Sequence, residues 1–499
     1  MVDLDVQKII KTKKLDGMLL VKGNYFMGET PVCGRNIVND LTGYNGGGIL
    51  LVTKAKKYLF VSTRDELQAK NETKGISVKL ERVSGFLRTQ KKKLRIGYDP
   101  LEHPKDRIEF WQQYAVMVKV NIPALPFKGK ETNFPLIYAG KKSSDKIKDI
   151  LKKMEGDYLL ISVPTDLDWL LNKRGNANPF VPFIAAFGLL SKQGKVEIFK
   201  DLEKLKERLN AITGKIEMDP SHTSIGIEDC IKNPIRKTSI ISKEKWIKNK
   251  TELQHIRQIG KVEDKVLRVC LSELKEGLTE LDIVKRLQEL RKKEKTYKTD
   301  SFPTIAAFGA HAAAPHYEPD EKTSIALKKS EIVLIDTGGQ YLKGTTDMTT
   351  TVCFGTPTQK QKEMYTVVLK AHITFAQMLF PQGTTLRRLD PIVRHAMWQE
   401  GVMDYPHGTS HGIGFYGDVH EGSPELTDEP LKPGMILSNE PGFYQEGAFG
   451  IRIENMMEVV KKGKFIGFKL LTHTPLDEKL IVKSMLSEKE KAWLGKYPK

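Results

Sequence analysis

Four carboxylates stand at the ends of strongly apolar strands in the C-terminal half of the chain. Asp336 closes the run EIVLID, and Asp347 opens the run DMTTTVCF eleven residues later. Glu440 ends the run GMILSNEP, and Glu454 lies within the run GIRIENMMEVV. A carboxylate embedded in an apolar strand is costly to bury unless a positive charge compensates it. The fold of this half must therefore supply that compensation.

Two divalent metal ions would meet this requirement. The four carboxylates would repel one another if they converged without cations, and His411 in the segment HGTSHGIG adds an imidazole to the set. Oxygen ligands with one imidazole suit Mn²⁺, Co²⁺ or Zn²⁺ rather than a thiolate-binding metal. Two such ions, about 3.5–4 Å apart, can share a bridging hydroxide, lower its pKa and polarise a carbonyl for hydrolysis.

Each of these residues also has an ordinary structural interpretation when it is taken alone. An aspartate at a strand end is commonly a cap or a turn residue. Glu454 could simply pair with Arg452, which lies two residues earlier and so points to the same face of a strand. Spacing by itself does not establish that the five residues converge.

The preceding part of the chain reads as alternating strands and helices. The chain has 499 residues, more than one hydrophobic core usually serves, which predicts two or three domains. The runs at 15–22, 48–53 and 94–99 predict buried strands with helices between them, which indicates an α/β domain with a parallel or mixed sheet. A proline-containing linker is predicted over 122–135, followed by a second α/β domain.

A long helical segment is predicted over 251–287, where apolar residues recur at spacings of three and four. Gly277 is predicted to end its first helix. Thr279 is predicted to cap the next helix, whose first turn holds Glu280 and Asp282.

Composition narrows the classes of protein further. The net charge of +18 could indicate nucleic-acid binding. However, the lysines are spread along the chain, and no recognition-helix or zinc-finger signature accompanies them. No nucleic-acid partner is therefore expected. No run reaches the roughly 18 apolar residues of a membrane span, and the N-terminus lacks a secretory apolar segment, which predicts a cytoplasmic protein. The four cysteines form no C-x-x-C pair and are predicted to be reduced.

The chain resembles metallopeptidases of the pita-bread fold in three stretches. Their double-aspartate strand pair is similar to IDTGGQYLKGTTDMTTTVCFG, their histidine motif to HGTSHGIGFYGDVHEGSPEL, and their double-glutamate segment to SNEPGFYQEGAFGIRIENMMEV. Within that family the chain is most similar to aminopeptidase P (Xaa-Pro aminopeptidase), in its long three-domain cytosolic form. The resemblance is strong over 295–496, moderate over 155–250 and faint in the first domain.

The resemblance implies an α/β and α+β architecture and a metallo-exopeptidase activity. Two creatinase-like N-terminal α/β domains, 1–132 and 133–245, would precede a pita-bread catalytic domain over 246–499. The expected reaction is hydrolysis of the N-terminal peptide bond of peptides with proline at the second position, through a hydroxide that bridges two metal ions. Manganese is the ion that the family usually carries, and a homodimer is expected.

The resemblance also implies a role for each matching residue. Asp336 would bind one ion, Asp347 and Glu454 would bridge both, and His411 and Glu440 would complete the second, with Glu440 also acting as the base for the attacking water. The further residues that it implies are His316, His407 and His420 around the scissile bond, and Tyr444 and Arg452 at the substrate.

Three other functions remain open at this point. A prolidase would cleave Xaa-Pro dipeptides with the same metals, although the HGTSHGIG…VHEG form favours the aminopeptidase. Methionine aminopeptidase shares the catalytic fold but has no need of two preceding α/β domains. A binding protein on the same fold would suit the positive charge, but all five ligand positions hold residues that can bind a metal.

Overall fold

The computed structural model describes residues 5–22, 25–27, 37–124, 126–422 and 425–498. The chain divides into two compact units. The N-terminal unit comprises 1–134, 142–178 and 182–243, and the C-terminal unit comprises 135–141, 179–181 and 244–499. Cys230, Cys270 and Cys353 are free thiols, whereas Cys33 lies outside the described residues.

The N-terminal unit alternates strands and helices along most of its length. Its strands are β1 (Gly17–Val21), β2 (Ile49–Thr53), β3 (Lys57–Phe60), β4 (Ser77–Lys79), β5 (Arg95–Tyr98), β6 (Val116–Lys119), β7 (Glu131–Asn133), β8 (Tyr158–Ile161), β9 (Lys173–Gly175), β10 (Phe187–Ser191), β11 (Val196–Phe199), β12 (Ile216–Met218) and β13 (Pro234–Arg236).

The helices up to the start of the C-terminal unit are short, and one of them, α6, already belongs to that unit. They are α1 (Val6–Thr12), α2 (Ile37–Thr42), α3 (Glu66–Glu72), α4 (Val83–Arg88), α5 (Lys105–Gln112), α6 (Leu136–Ala139), α7 (Ser143–Leu151), α8 (Pro164–Leu171), α9 (Leu202–Ala211), α10 (Ile225–Glu228) and α11 (Ile240–Lys245).

Two mixed sheets organise the N-terminal unit, as the alternating pattern predicts. The described residues form one sheet in the order β4-β3-β2-β1-β5-β6 and another in the order β11-β10-β8-β12-β13. In the first, β1 pairs antiparallel with β2 but parallel with β5, and in the second β8 pairs antiparallel with β10 but parallel with β12. Successive residues of β1 enter different cores, since Met18 and Leu20 pack in one cluster and Leu19 in another. The first sheet is therefore covered on both faces.

The C-terminal unit contains longer helices and a set of antiparallel strands. Its helices are α12 (Lys250–Ser272), α13 (Glu280–Arg291), α14 (Gln359–Ala376), α15 (Leu386–Trp398) and α16 (Glu488–Leu494). Its strands are β14 (Tyr297–Asp300), β15 (Ile305–Phe308), β16 (Glu331–Thr337), β17 (Gly339–Tyr341), β18 (Gly344–Thr345), β19 (Met348–Phe354), β20 (Leu379–Phe380), β21 (Ile436–Asn439), β22 (Gly442–Gln445), β23 (Phe449–Arg452), β24 (Asn455–Lys462) and β25 (Phe465–Leu470).

Helices α12 and α13 begin at capping residues, and the Thr279 cap is confirmed. The Thr279 side chain accepts a hydrogen bond from the Asp282 backbone while Asp282 bonds back to the cap residue, a capping box that satisfies otherwise unpaired N–H groups. The prediction that Gly277 ends α12 is wrong. The helix stops at Ser272, and Gly277 lies in the connection with φ +88°, where its N–H donates to the Leu327 carbonyl. A glycine with a positive φ indicates a turn, but it does not show at which residue the preceding helix ends.

The core of the C-terminal unit places two strand ladders near each other. Strand β16 lies between β15 and β19, and β24 lies between β21 and β25. The N–H of Glu454, directly before β24, donates to the Thr349 carbonyl of β19 and so joins the two ladders. Among the described residues, none of the helices combines the length and apolar character needed to cross a bilayer.

Candidate metal centre

The two aspartates reach the same end of one antiparallel ladder. In the register of β16 and β19, Asp336 lies opposite Thr349 and Thr337 opposite Met348, so that Asp347 directly precedes the paired region. The rest of both strands is mainly buried apolar or threonine surface. The apolar run therefore fixes the ladder, and its end leaves both carboxylates side by side.

The two glutamates are brought together by the second ladder. Asn439 of β21 lies opposite Asn455 of β24, so Glu440, which follows the first strand, faces Glu454, which precedes the second. The sequence predicts Glu454 within one continuous strand, and this is wrong. Residues 453 and 454 separate β23 from β24, which pair with different neighbours, and this break turns the Glu454 side chain toward the cluster.

His411 lies on a loop rather than at the end of a strand. Its carbonyl accepts the Ser438 N–H at 2.9 Å and its N–H donates to the Ser438 hydroxyl at 2.9 Å, which attaches the loop to β21. Its Nδ1 lies 2.9 Å from the Gly412 carbonyl and donates a proton to it, so Nε2 is the nitrogen that faces the carboxylates. Nε2 lies 3.2 Å from Oε1 of Glu440 and 3.4 Å from Oδ2 of Asp347.

These five side chains lie together in groups that could hold metal ions. In three groups, the donor atoms of each group are all within 4.8 Å of one another. The groups are Asp336, Asp347 and Glu454; His411, Glu440 and Glu454; and Asp347, His411 and His420. Asp347, Glu454 and His411 each belong to two groups, and the two carboxylates among them are side chains that could serve two neighbouring ions.

The charge and hydrogen bonding of the cluster fit a pair of cations. Within the described residues, Oδ1 of Asp336 and Oε1 of Glu454 are buried and have no hydrogen-bond partner. Burial and the neighbouring carboxylates hold the pKa of Glu454 well above its usual value. Burial also raises the pKa of Asp347 to about 6, with Asp336 contributing to the rise. Positive charge at this point would restore the ionised form of both groups and would give the two oxygens a partner.

Arg452 connects one aspartate to the predicted substrate residues. Its Nη2 donates to Oδ2 of Asp336 at 2.5 Å, and its Nη1 donates to the Tyr444 hydroxyl at 2.6 Å. In the structure, Arg452 therefore pairs with Asp336 and not with Glu454. The Tyr444 hydroxyl lies 2.8 Å from Nε2 of His407, whose Nδ1 lies 2.8 Å from the Gly408 carbonyl.

The protonation of this chain of contacts follows from its geometry. Because Nδ1 of His407 faces a carbonyl, it carries the proton, and Nε2 accepts the hydrogen of Tyr444. Burial lowers the pKa of His407 to about 4 and raises the pKa of Tyr444 to about 12. The imidazole is therefore neutral and the phenol protonated at neutral pH.

The other two predicted histidines also lie near the cluster. The ring of His420 lies 4.3 Å from that of His411 between centroids, and the His420 side chain belongs to the third group of donor atoms. His316 follows Pro315, whose carbonyl accepts a weak 3.4 Å hydrogen bond from Arg452. After burial, which is the main cause, His316 is one of the groups that lower the pKa of His407.

Glu280 is a residue whose role the sequence does not reveal. It is fully buried at the start of α13 and accepts hydrogen bonds from Phe308 N at 2.8 Å, from Ile325 N at 3.0 Å and from the Tyr317 hydroxyl at 2.8 Å. Its carboxylate thereby holds the segment that carries His316. An acidic residue in the first turn of a helix is ordinarily explained by the helix dipole, so no local signal sets Glu280 apart.

Models of known protein families match most of the chain. Residues 254–461 match the model of metallopeptidase family M24, residues 122–218 match the creatinase/prolidase N-terminal domain, and residues 464–499 match the C-terminal region of peptidase M24. All five clustered residues fall within the first match.

Individual relatives agree with this result. The chain is 35% identical over 432 residues to a probable Xaa-Pro aminopeptidase P of Paracoccidioides brasiliensis (strain Pb03), covering 74% of this chain and 69% of the relative. It is 34% identical over 411 residues to Xaa-Pro aminopeptidase 1 of Dictyostelium discoideum, covering 72% and 65%. The crystal structure of an X-prolyl aminopeptidase from Caenorhabditis elegans, described as a cytosolic enzyme with a di-nuclear active site, matches with a TM-score of 0.90 at 28% identity, covering 97% of this chain and 90% of that one.

Proposed function

Since this chain belongs to the Xaa-Pro aminopeptidase P family of M24 metallopeptidases, we propose that it removes the first residue of peptides with proline at the second position. The observation that carries the proposal is the packing of four carboxylates and two imidazoles, those of His411 and His420, into groups whose donor atoms lie within 4.8 Å of one another. A binding protein that had lost its metals would have no use for this costly concentration of buried charge.

Five side chains would hold two divalent ions. Asp336 would serve one ion, His411 and Glu440 the other, and Asp347 and Glu454 both. When bound, the ions supply a lowered pKa for the attacking water and polarisation of the scissile carbonyl. We assign Mn²⁺ as the native ion, while Co²⁺ and Zn²⁺ suit the same donors.

Glu440 is the residue that we assign as general base. Burial alone would raise the pKa of its carboxyl group, but the hydrogen bond and charge of His411, with the charge of Arg452, outweigh burial and hold the pKa below its usual value. The carboxylate is therefore ionised at neutral pH and is able to accept a proton from the attacking water.

The neighbouring side chains would act on the peptide. His316 and His420 would orient the scissile carbonyl and stabilise the negative charge that develops on its oxygen. Tyr444 and His407 would pass a proton toward the leaving proline nitrogen, while Arg452, which stays protonated, would hold the Tyr444 hydroxyl in place. This nitrogen has no N–H in the substrate and must gain a proton to leave as a secondary amine.

Replacement of His407 by alanine is expected to lower kcat by about two orders of magnitude or more, because a positioned acid–base group typically contributes about 10²–10⁴-fold. The metal content is expected to stay unchanged, since His407 belongs to none of the groups of candidate ligands found in the described residues. Steady-state kinetics with metal analysis of the same preparation measures both quantities.

His395→Ala is the matched control, because His395 is an exposed histidine in α15 of the same unit. This variant should keep the wild-type kcat. Loss of metal from His407→Ala would instead identify His407 as a ligand and would contradict the role assigned to it.

The choice between aminopeptidase and prolidase depends on what lies beyond the proline. The relatives named above are Xaa-Pro aminopeptidases, which favours release of the first residue from longer peptides. We therefore propose cleavage of a tripeptide such as Arg-Pro-Pro in preference to an Xaa-Pro dipeptide. The proline ring fixes φ and removes an N–H donor, so a site that selects it excludes peptides with alanine at the second position.

The proposed function is tested by metal removal. Protein treated with chelator and then dialysed is expected to release no arginine from Arg-Pro-Pro, and activity is expected to return when Mn²⁺ is restored but not when Mg²⁺ is added in its place, because imidazole is a poor ligand for Mg²⁺. Free amino acid is quantified chromatographically, with Arg-Ala-Pro and Arg-Pro as comparison substrates. Full activity after chelation, or cleavage of the dipeptide alone, would refute the proposal.

Further properties follow from the family and are proposed with it. The Caenorhabditis elegans enzyme is described as cytosolic, and we place this chain in the cytosol as well. We propose a homodimer, peptides as the partners, and no nucleic-acid or membrane partner. We also propose a division at residues 132–133 within the N-terminal unit, which the two separate sheets support.

A further inference from the structure

Behind the two aspartates lies a buried ionic cluster, the Arg291 cluster, formed by Glu263, Arg291, Asp300 and Tyr341. The Arg291 side chain has no exposed surface, and its Nε donates to Oε1 of Glu263 at 3.0 Å and its Nη1 to Oδ1 of Asp300 at 2.9 Å. The Tyr341 hydroxyl donates to Oε1 of Glu263 at 2.6 Å. Such a cluster is expensive to bury, because each charge must lose its hydration. Stability alone is therefore a weak reason for its presence.

Two of the other hydrogen bonds of the Arg291 cluster each join it to a threonine next to a candidate metal ligand. Nη2 of Arg291 donates to the hydroxyl of Thr337 at 2.8 Å, and the hydroxyl of Thr346 donates to Oε1 of Glu263 at 3.0 Å. Thr337 directly follows Asp336, and Thr346 directly precedes Asp347.

The directions of the side chains show how the Arg291 cluster could position the aspartates. Neighbouring residues of a strand point to opposite faces, so Thr337 in β16 is held from one side while the carboxylate of Asp336 extends to the other. Thr346 is fixed in addition by its hydroxyl, which accepts the N–H of Gly339 at 2.8 Å. The same cluster thus holds the residue next to each of the two aspartates.

We propose that the Glu263–Arg291 pair, acting through Thr337 and Thr346, is a positioning element that sets the separation of the two aspartates before metal ions bind. This inference rests on the proposed function, since the aspartates are taken as metal ligands. Two like charges tend to move apart in the metal-free protein. The Arg291 cluster resists that movement, because shifting either threonine would break a hydrogen bond to a fully buried charged side chain.

The inference is tested with hydroxyl-deleting and hydroxyl-keeping variants of each threonine. Thr346→Val and Thr337→Val retain side-chain shape but lose the hydroxyl with all its hydrogen bonds, including the one to the Arg291 cluster, whereas Thr346→Ser and Thr337→Ser keep the hydroxyl. Binding of Mn²⁺ to chelator-treated full-length protein is measured by calorimetry. The valine variants are expected to bind at least one of the two ions on the order of 10–100-fold more weakly, as is typical when a residue that orients a metal ligand is removed. The serine variants are expected to stay within about threefold of wild type on the same basis.

Thr366→Val provides the matched control. Thr366 is a buried threonine of α14 whose hydroxyl donates to the Lys362 carbonyl at 2.7 Å and accepts the Val482 N–H at 2.9 Å. Its loss should lower the thermal stability of the metal-free protein as much as the other valine changes do, while leaving Mn²⁺ affinity unaltered.

The outcomes separate the inference from the proposed function. Wild-type affinity in both valine variants, or equal weakening in Thr366→Val, would overturn the inference and leave the metallopeptidase assignment intact. A wild-type chain that binds no Mn²⁺ would overturn the assignment itself and the inference with it. Because Thr337 and Thr346 are changed separately, failure of one variant to fold still leaves the other to decide.

Discussion

Replacement of Asp347 by alanine is expected to lower kcat by about three orders of magnitude or more, which corresponds to about 4 kcal/mol of lost transition-state stabilisation. Asp347 belongs to two of the three groups of candidate ligands, and its Oδ2 lies 3.4 Å from Nε2 of His411. Its removal would therefore disturb both ions at once. Turnover of Arg-Pro-Pro, with metal content measured on the same sample, tests this expectation.

The metal-free Asp347→Ala protein should be as stable as the wild type or slightly more stable. Burial and the charge of Asp336 raise the pKa of Asp347 to about 6, which shows that its ionised form is disfavoured where it stands. Thermal unfolding with and without Mn²⁺ should show stabilisation by the ion in the wild type and little in the variant. Asp428→Ala, which removes an exposed carboxylate paired with Arg387, is the control and should change neither quantity. Near-normal turnover in Asp347→Ala would contradict the bridging role.

Replacement of Arg291 by methionine is expected to lower the free energy of unfolding by about 3–5 kcal/mol, because it leaves the buried carboxylates of Glu263 and Asp300 without their cation. Methionine keeps much of the side-chain volume, so the loss reports charge rather than a cavity. Chemical denaturation of the metal-free protein, followed by circular dichroism, measures the change.

Arg286→Met is the matched control for this result, since it lies on the same helix and makes its ion pairs near the surface. Arg286 donates to Glu273 at 2.6 Å and to Glu289 at 2.9 Å, with a third of its side chain exposed. Exposed pairs of this kind contribute about 0–1 kcal/mol. A comparable loss in both variants would mean that burial of the Arg291 cluster has no special importance for stability.

Some features of this protein follow from residues that are close in sequence. The capping box at Thr279, the strand that carries Asp336 next to its last residue and the ladder partner that begins after Asp347 all depend on patterns a few residues long. These are local preferences of the backbone, which is why they can be predicted without knowledge of the rest of the chain. The same reasoning gave the wrong end for α12, because Gly277 serves the connection rather than the helix.

Contacts between distant residues could not be predicted in this way. Glu454 is hydrogen-bonded by Thr349, 105 residues earlier, at 2.7 Å, and Arg452 pairs with Asp336, 116 residues earlier, instead of with its near neighbour. Glu263 and Arg291, on two helices, show no pattern that marks them as partners, although their contacts reach the threonines beside both aspartates.

The amino-acid sequence thus determined which side chains are chemically able to bind metal and which short elements carry them. The tertiary structure alone decided that these side chains meet, that the strand predicted around Glu454 breaks at that residue, and that a buried arginine stands behind the aspartates. The physical reason is that local backbone preferences act over a few residues, whereas the burial of charge is resolved only by partners that folding brings from far along the chain.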